Sequence, residues 1–235
     1  MKTSILFFAI LIFRLQGFCQ VYMYGGGGVS GAIYSSSILK DIFEHYNSDD
    51  NYDVIERLEG PIFLKGFNLE LSFFEDWAST STLEFYTDKM SGSRSDNVLG
   101  IITNDIRFMH LNFRYGLGLP VTDEEEFSLY SGLEFATGLQ TIGQKKSIDN
   151  SFVEDYENIY FNGQYGLGAF SDGIFKMNDF LCLSVRPYVT VYFQPTDLFG
   201  ISEPVLEWSY YDYEQPEFSV QVIYGVSVAF AYADY

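Results

Sequence analysis

The sequence predicts an all-β fold: one closed, eight-stranded, antiparallel β-barrel that crosses a membrane, with four long extracellular loops and short periplasmic turns. Three observations predict it. The chain opens with an export-type leader, its strands alternate large apolar with small or polar residues over unusual lengths, and the connections between strands alternate long and short. Composition agrees: 47% hydrophobic and 19% aromatic residues, with 21 Gly and 6 Pro in 235 residues, exclude disordered, collagen-like and coiled-coil chains. The 19 Tyr and 23 Phe at a mean hydropathy near zero suit a boundary with lipid. With 13 Lys and Arg against 32 Asp and Glu, the net charge is −19. A phosphate backbone would be repelled, so nucleic acid is excluded as a partner.

Residues 1–19 predict a cleaved signal peptide, with Lys2 as the positive start, Ile5 to Phe13 as the apolar stretch, and Gly17 and Cys19 as small residues before the cut. The mature domain then runs from Gln20 to Tyr235. Arg14 ends the apolar run after about nine residues, well short of the roughly 20 a spanning helix needs. A lipid-modified Cys19 is the rival, disfavoured by bulky Phe18 before it. Cleavage would leave Cys182 as a lone thiol and take the net charge to −21 by removing Lys2 and Arg14. With no other long apolar run, any membrane crossing must use strands.

In chain order, the first predicted strand is the glycine-rich Val21 to Val29. Phe67 to Phe73 and Leu83 to Thr87 follow, both short. Arg107 to Leu119 sets Met109, Leu111, Phe113, Tyr115, Leu117 and Leu119 on one parity against His110, Asn112, Arg114, Gly116 and Gly118 on the other. Phe127 to Leu139 opposes Leu129, Leu133, Phe135 and Leu139 to Ser128, Tyr130, Gly132, Glu134 and Gly138. Ile159 to Phe170 is weaker; Leu181 to Phe193 sets Leu183, Val185, Val189 and Val191 against Ser184, Arg186, Tyr188, Thr190 and Tyr192. The last, Phe218 to Tyr232, is the clearest: Val220, Val222, Tyr224, Val226, Val228 and Phe230 alternate with Gln221, Ile223, Gly225, Ser227, Ala229 and Ala231. A period of two sustained this far fits spanning strands, which take about 9 to 11 tilted residues. The predicted connections are long (30–66), short (74–81), long (88–106), short (120–126), long (141–158), short (171–179) and long (195–217), as in an outer-membrane barrel with both termini on the short-turn side.

The leader, this parity and the repeated Tyr-Gly-Leu-Gly at Tyr115 to Gly118 and Tyr165 to Gly168, echoed at Tyr224 to Ser227, carry a resemblance. The chain is similar to the small outer-membrane β-barrels of the OmpA/OmpX type, within the porin-family proteins of Gram-negative bacteria. Gly225, Val228 and Phe230 resemble the C-terminal pattern read by the barrel-assembly machinery, although Ala231 to Tyr235 extend past it. The resemblance implies an outer-membrane location and a class of fold, not an activity.

Other motifs weigh less. Gly26-x-Gly28-x-x-Gly31, followed by the helix-like Ser36 to His45, fits a dinucleotide fingerprint, but no βαβ unit surrounds it. It reads as a glycine-rich first strand, and no cofactor is expected. Some outer-membrane barrels act on lipid A, and such deacylases resemble one another in a His-x-Ser pair; here His110-Leu111-Asn112 lacks the nucleophile, so no enzyme is expected. The acidic residues of the first loop (Asp41, Glu44, Asp49, Asp50, Asp53, Glu56, Glu59) and the last (Asp197, Glu203, Glu207, Asp212, Glu214, Glu217) read as solvated surface. Calcium is the sharper alternative, but no Asp-x-Asp-x-Asp-Gly loop occurs, so no metal site is assigned. Trp208, Tyr210, Tyr211 and Tyr213 fit an interfacial girdle.

The predicted interior is the richest feature. Glu70, Glu84 and Glu134 face Arg114 and Arg186, with His110 nearby and Tyr86, Tyr130, Tyr160, Tyr188 and Tyr192 on the same parity. An eight-stranded barrel is just wide enough to be filled by side chains. These residues are therefore expected to form a structural, hydrogen-bonded plug, with Arg114 bridging Glu84 and Glu134. The expected protein is a non-enzymatic outer-membrane barrel with a structural or surface-interaction role through acidic loops. Its expected partners are outer-membrane lipid and lipopolysaccharide, the assembly machinery and an unidentified extracellular partner. A narrow gated channel and a secreted soluble β-barrel binder are the alternatives.

Overall fold

A computed structural model describes residues 22–48, 52–74, 76–124, 126–149, 151–152, 157–195 and 218–234. The proposed signal peptide, residues 49–51 and the last loop, with its acidic and aromatic residues, lie outside these. The elements are β1 (Tyr22–Ser36), α1 (Ser37–Ser48), β2 (Asp53–Glu56), β3 (Ile62–Phe74), β4 (Ala78–Asp96), β5 (Gly100–Asp123), β6 (Phe127–Ile148), β7 (Ser151–Phe152), β8 (Glu157–Lys176), β9 (Leu181–Pro195) and β10 (Phe218–Asp234).

Eight strands pair in a ring, in the order β1, β3, β4, β5, β6, β8, β9, β10 and back to β1, every pairing antiparallel. Short β2 adds to the far end of β4, and β7 to β6. The register fixes the ring's geometry. From Ala78 the paired positions run through Gly118, Gly132, Phe170, Tyr188, Gly225, Ala32 and Leu64. One position beyond the Lys65–Thr87 pair, they return to β4 at Asp88, ten residues from the start. That stagger over eight strands gives a tilt of about 42° from standard strand rise and spacing, inside the range for closed sheets.

One end of the ring carries the tight connections at Phe74–Ala78, Asp123–Phe127 and Lys176–Leu181, together with the start of β1 and the end of β10. At the other end two predicted loops are corrected. Most of 88–106 is strand, because β4 and β5 pair as far as Asp96–Gly100. Most of 141–158 is strand as well, in β6 and β8. The 24 residues of β5 extend far past the 9 to 11 or so that a bilayer needs. Toward this end of β4 and β5 polar residues occupy both parities, so the alternation that marks a strand disappears. Ser91, Ser93 and Ser95 lie in this region of β4.

The remaining predicted loop, 30–66, also contains structure. β1 continues to Ser36, and α1 places Leu39, Ile42, Phe43 and Tyr46 on one face at helical spacing. All four are buried in a cluster with Tyr34, Leu58, Leu64, Ile106 and Phe108. Asn47 anchors the following segment: its Nδ2 donates to the Leu58 carbonyl at 2.7 Å and its Oδ1 accepts the Leu58 N–H at 3.0 Å. The guanidinium of buried Arg94 lies over the rings of Tyr46 and Tyr52, at 4.8 and 3.9 Å from their centroids. The helix thus caps the lumen at the end opposite the tight turns.

Candidate functional site in the lumen of the ring

Parity decides which side chains meet. On β10, Gln221, Ile223, Gly225, Ser227, Ala229 and Ala231 point inward, while Val220, Tyr224, Val226 and Phe230 are exposed. The same alternation on the other ring strands sends charged residues in and leaves Phe67, Leu69, Leu83, Leu111, Phe113, Leu133, Phe135 and Leu167 outside.

Four of the six expected interior residues form one network. Arg114 on β5 donates from Nη2 to Glu84 Oε1 of β4 at 2.6 Å and from Nη1 to both oxygens of Glu134 on β6 at 3.3 Å. Arg186 on β9 reaches Glu134 Oε2 at 3.2 Å and Thr82 Oγ1 at 2.9 Å. Thr190 donates to Glu134 Oε1 at 2.6 Å. All four ionic side chains have no exposed surface. Two carboxylates and two guanidiniums balance, as buried ions must to be tolerated. Aromatic faces enclose the cations: Arg114 lies 3.4 Å from the Tyr188 ring centroid and Arg186 4.1 Å from that of Phe170. The hydroxyls of Tyr86 and Tyr188 are hydrogen-bonded to each other above this layer.

Glu70 and His110 lie elsewhere. Glu70, four residues from the tight-turn end of β3, shares hydroxyl partners with Asp172. Tyr24 Oη is 3.2 Å from Glu70 and 3.0 Å from Asp172, and Ser184 Oγ is 3.1 and 2.9 Å from the same two. Asn68 and Ser227 also donate to Glu70 Oε1, at 2.7 and 3.1 Å. His110 belongs to a third layer nearer the helix, its ring 5.0 Å from that of Tyr34 and its Nε2 3.2 Å from Nε2 of Gln140, which donates to Tyr34 Oη at 2.9 Å. Asn112 accepts from Gln164 Nε2 at 2.9 Å. Of the expected tyrosines, Tyr86, Tyr130, Tyr188 and Tyr192 are buried, and the Tyr160 side chain lies outside what is described.

Sequence reasoning missed Asp172, Gln140, Gln144, Gln164 and Arg94, all buried inside. Asp172 was legible: Gln164, Gly166, Phe170, Asp172 and Ile174 share one parity, but 171–179 read as a turn.

No family model matches the chain, and no curated protein matches it. Solved structures similar to it include Ail, the attachment invasion locus protein of Yersinia pestis, solved with the heparin analogue sucrose octasulfate. It is 12% identical over 92% of this chain and 99% of that one, with a TM-score of 0.46. OprG from Pseudomonas aeruginosa is 12% identical over 93% and 98% of the two chains, TM-score 0.44. Neisserial surface protein A is 10% identical over 91% and 97%, TM-score 0.42. These structural neighbours are small outer-membrane β-barrel proteins, while the ring itself stands on this chain's own strand pairing.

Proposed function

We propose that the chain is an integral outer-membrane β-barrel with a plugged lumen, non-enzymatic, acting as an envelope or surface protein through its acidic loop end. The observation that carries this is the pattern of burial: an ionic network lies inside the ring, and a belt of large apolar side chains on the ring strands lies outside it. Val29 is 67% exposed, Leu133 73% and Phe230 57%. A soluble barrel places its large apolar parity inward, and water-soluble surfaces seldom carry apolar patches beyond a few hundred Å². Lipid is the medium that fits both faces. The lumen is read as a plug because the Glu84–Arg114–Glu134–Arg186 network and its enclosing rings fill a cross-section this narrow. Lipopolysaccharide and, through β10, the barrel-assembly machinery are the partners this reading supplies.

The test is fractionation followed by gel migration with and without boiling, and planar-bilayer conductance of the refolded protein. We expect recovery in the outer membrane, heat-dependent migration and negligible conductance. Recovery from the soluble periplasm would overturn the membrane assignment. Steady, ion-selective conductance would replace the plug by a channel.

A further inference from the structure

A cavity of about 600 Å³ is bounded by α1, the last residues of β1, the segment leading into β3 and Tyr224 of β10. That volume falls within the range of small-molecule sites. None of the ionic residues of the lumen lines it. Its walls follow from helical spacing. Leu39 and Phe43, four residues apart, present the apolar face of α1 to the cavity, while Lys40 and Glu44, one residue further along in each case, stand at its margin. Across from them the strands supply Ile33, Ile62 and Tyr224. Ile33 and Tyr224 are opposite each other in the β1–β10 register, and both are exposed at the cavity's outer lip. The two hydrogen bonds from the Asn47 side chain to the Leu58 backbone hold a further wall in place, so the cavity is formed before anything enters it.

Walls of this kind take an apolar body, and the charge at the margin selects what that body carries. Lys40 Nζ lies 3.4 Å from Glu44 Oε1, with both side chains mostly exposed. An ion pair so exposed is weak and readily exchanged for another partner. The surrounding charge has one sign. From Lys40 to Pro61 the sequence holds seven carboxylates against two cations, Lys40 and Arg57, in a chain of net charge −19. A field of that sign draws a cation toward the cavity and repels a carboxylate or phosphate.

We propose that the cavity beneath α1 binds a cationic amphiphile, an apolar body carrying an ammonium group, with the body against Leu39, Phe43 and Ile62 and the ammonium taking Glu44 from Lys40. The proposal rests on the surface role proposed above and gives it a ligand class. It also assigns the acidic first loop a task beyond solvation: the loop concentrates cations around the cavity, and the apolar walls retain those that carry enough hydrophobic area. A hydrophilic cation lacks the second term, and a fatty acid lacks the first.

The test titrates the refolded protein, in nanodiscs of zwitterionic lipid, with octylammonium, octanol and octanoate, three probes that share a chain and differ in the head. Amide chemical shifts of Phe43, Asn47 and Leu58 report the cavity, and those of Phe67 and Leu69 on the outer wall report partition into lipid. We expect octylammonium to shift the cavity amides at concentrations about tenfold below octanoate, with octanol between them. Glu44→Gln should bring the two charged probes within about twofold of each other, and Lys40→Gln, which releases Glu44, should strengthen octylammonium binding by about threefold. Salt at about 0.5 M should narrow the preference. Ser35 is exposed at the cavity's edge, and Ser35→Trp should fill the space and exclude all three probes. Octanoate or octanol binding as tightly as octylammonium, an unchanged preference in Glu44→Gln, continued binding in Ser35→Trp, or shifts confined to the outer wall would each overturn the proposal. Cavity shifts that appear only when the last loop is shortened would overturn it as well, by making the chain's own loop the occupant. Heat-dependent migration is checked on the same samples: its loss in the wild type would sink the barrel reading, whereas its persistence without selective binding would sink the ligand site alone.

Discussion

The two faces of one strand differ more than any two separate regions of this molecule. On β10, Val226 is 44% exposed and its neighbour Ser227 not at all, so one step along the chain moves from a medium that rewards apolar area to one that rewards paired charge. Outside, side chains need only be apolar. Inside, each ion needs a particular partner: Glu134 on β6 accepts from Arg114 on β5 and from Arg186 and Thr190 on β9. The inner face is therefore specified by geometry and the outer face by composition, and substitutions on the two should fail in different ways.

The inner face should break hardest. Arg114→Met removes the partner of Glu84 and one of the two cations on Glu134, at a depth where all three have no exposed surface. Breaking a buried pair in this way costs about 3–5 kcal/mol. Urea unfolding of the refolded protein in lipid vesicles should show a loss of that order, with conductance still negligible; a loss below about 1 kcal/mol would mean that lumen water replaces the guanidinium. On the outer face, Val226→Arg should cost on the order of 2–4 kcal/mol if the site is near mid-membrane. The two assays separate the faces: the Val226 variant should regain stability in thinner bilayers, where arginine reaches the interface, and the Arg114 variant should not. Cysteine labelling that placed position 226 in water would reverse the assignment of faces.

This contrast also explains what the sequence could disclose. On the membrane reading, lipid on one side enforces parity, so Arg107 to Leu119, Phe127 to Leu139, Leu181 to Phe193 and Phe218 to Tyr232 are visible as strands and the inward residues Arg114, Glu134 and Arg186 can be named. Where water lies on both sides the constraint lapses, and β4 above Thr87 or β6 above Gln140 reads as loop. Register is a separate gap. Glu70 carries the same parity as Glu84, yet it pairs with Asp172 near the tight turns, because the ten-residue stagger separates layers that counting along each strand merges. The helix-like stretch after Ser36 is legible from its periodicity, but the role of Leu39, Ile42, Phe43 and Tyr46 in capping the lumen depends on contacts with Leu58 and Leu64 that no local pattern encodes.

A smaller break tests how tightly the inner face is packed. A Cβ at Gly225 would fall 2.2–2.6 Å from ring atoms of Tyr188, and that ring carries the guanidinium of Arg114 on its face. Glycine is required here for the close approach of an aromatic ring, not for backbone freedom. Gly225→Val should cost about 1–3 kcal/mol, as overpacking of a filled interior does. It should also be less than additive with Arg114→Met, since both disturb the same stack. Full additivity in urea unfolding would show that Tyr188 moves aside without carrying Arg114 with it.

The smallest effect is expected where neither face matters, at the water-exposed tip of the β4–β5 hairpin. The Asp96 carboxylate accepts the backbone N–H groups of Leu99 and Val98, both at 2.7 Å, and these bonds hold its carboxyl below the usual aspartate range. A carboxyl whose folded pKa is depressed stabilises the turn above the ordinary aspartate value of about 4 and loses that contribution as pH falls through the lower folded value. Asp96→Ala should therefore lower the hydrogen-exchange protection of Val98 and Leu99 relative to wild type at pH about 6, and that difference should shrink toward pH about 3. The urea midpoint should not move, because the tip lies 18 residues along β4 from Ala78, beyond both the ionic layer and the apolar belt. A shifted midpoint would mean that the hairpin tip and the ring unfold as one unit, and that the distinction between the spanning strands and their extensions has no energetic boundary.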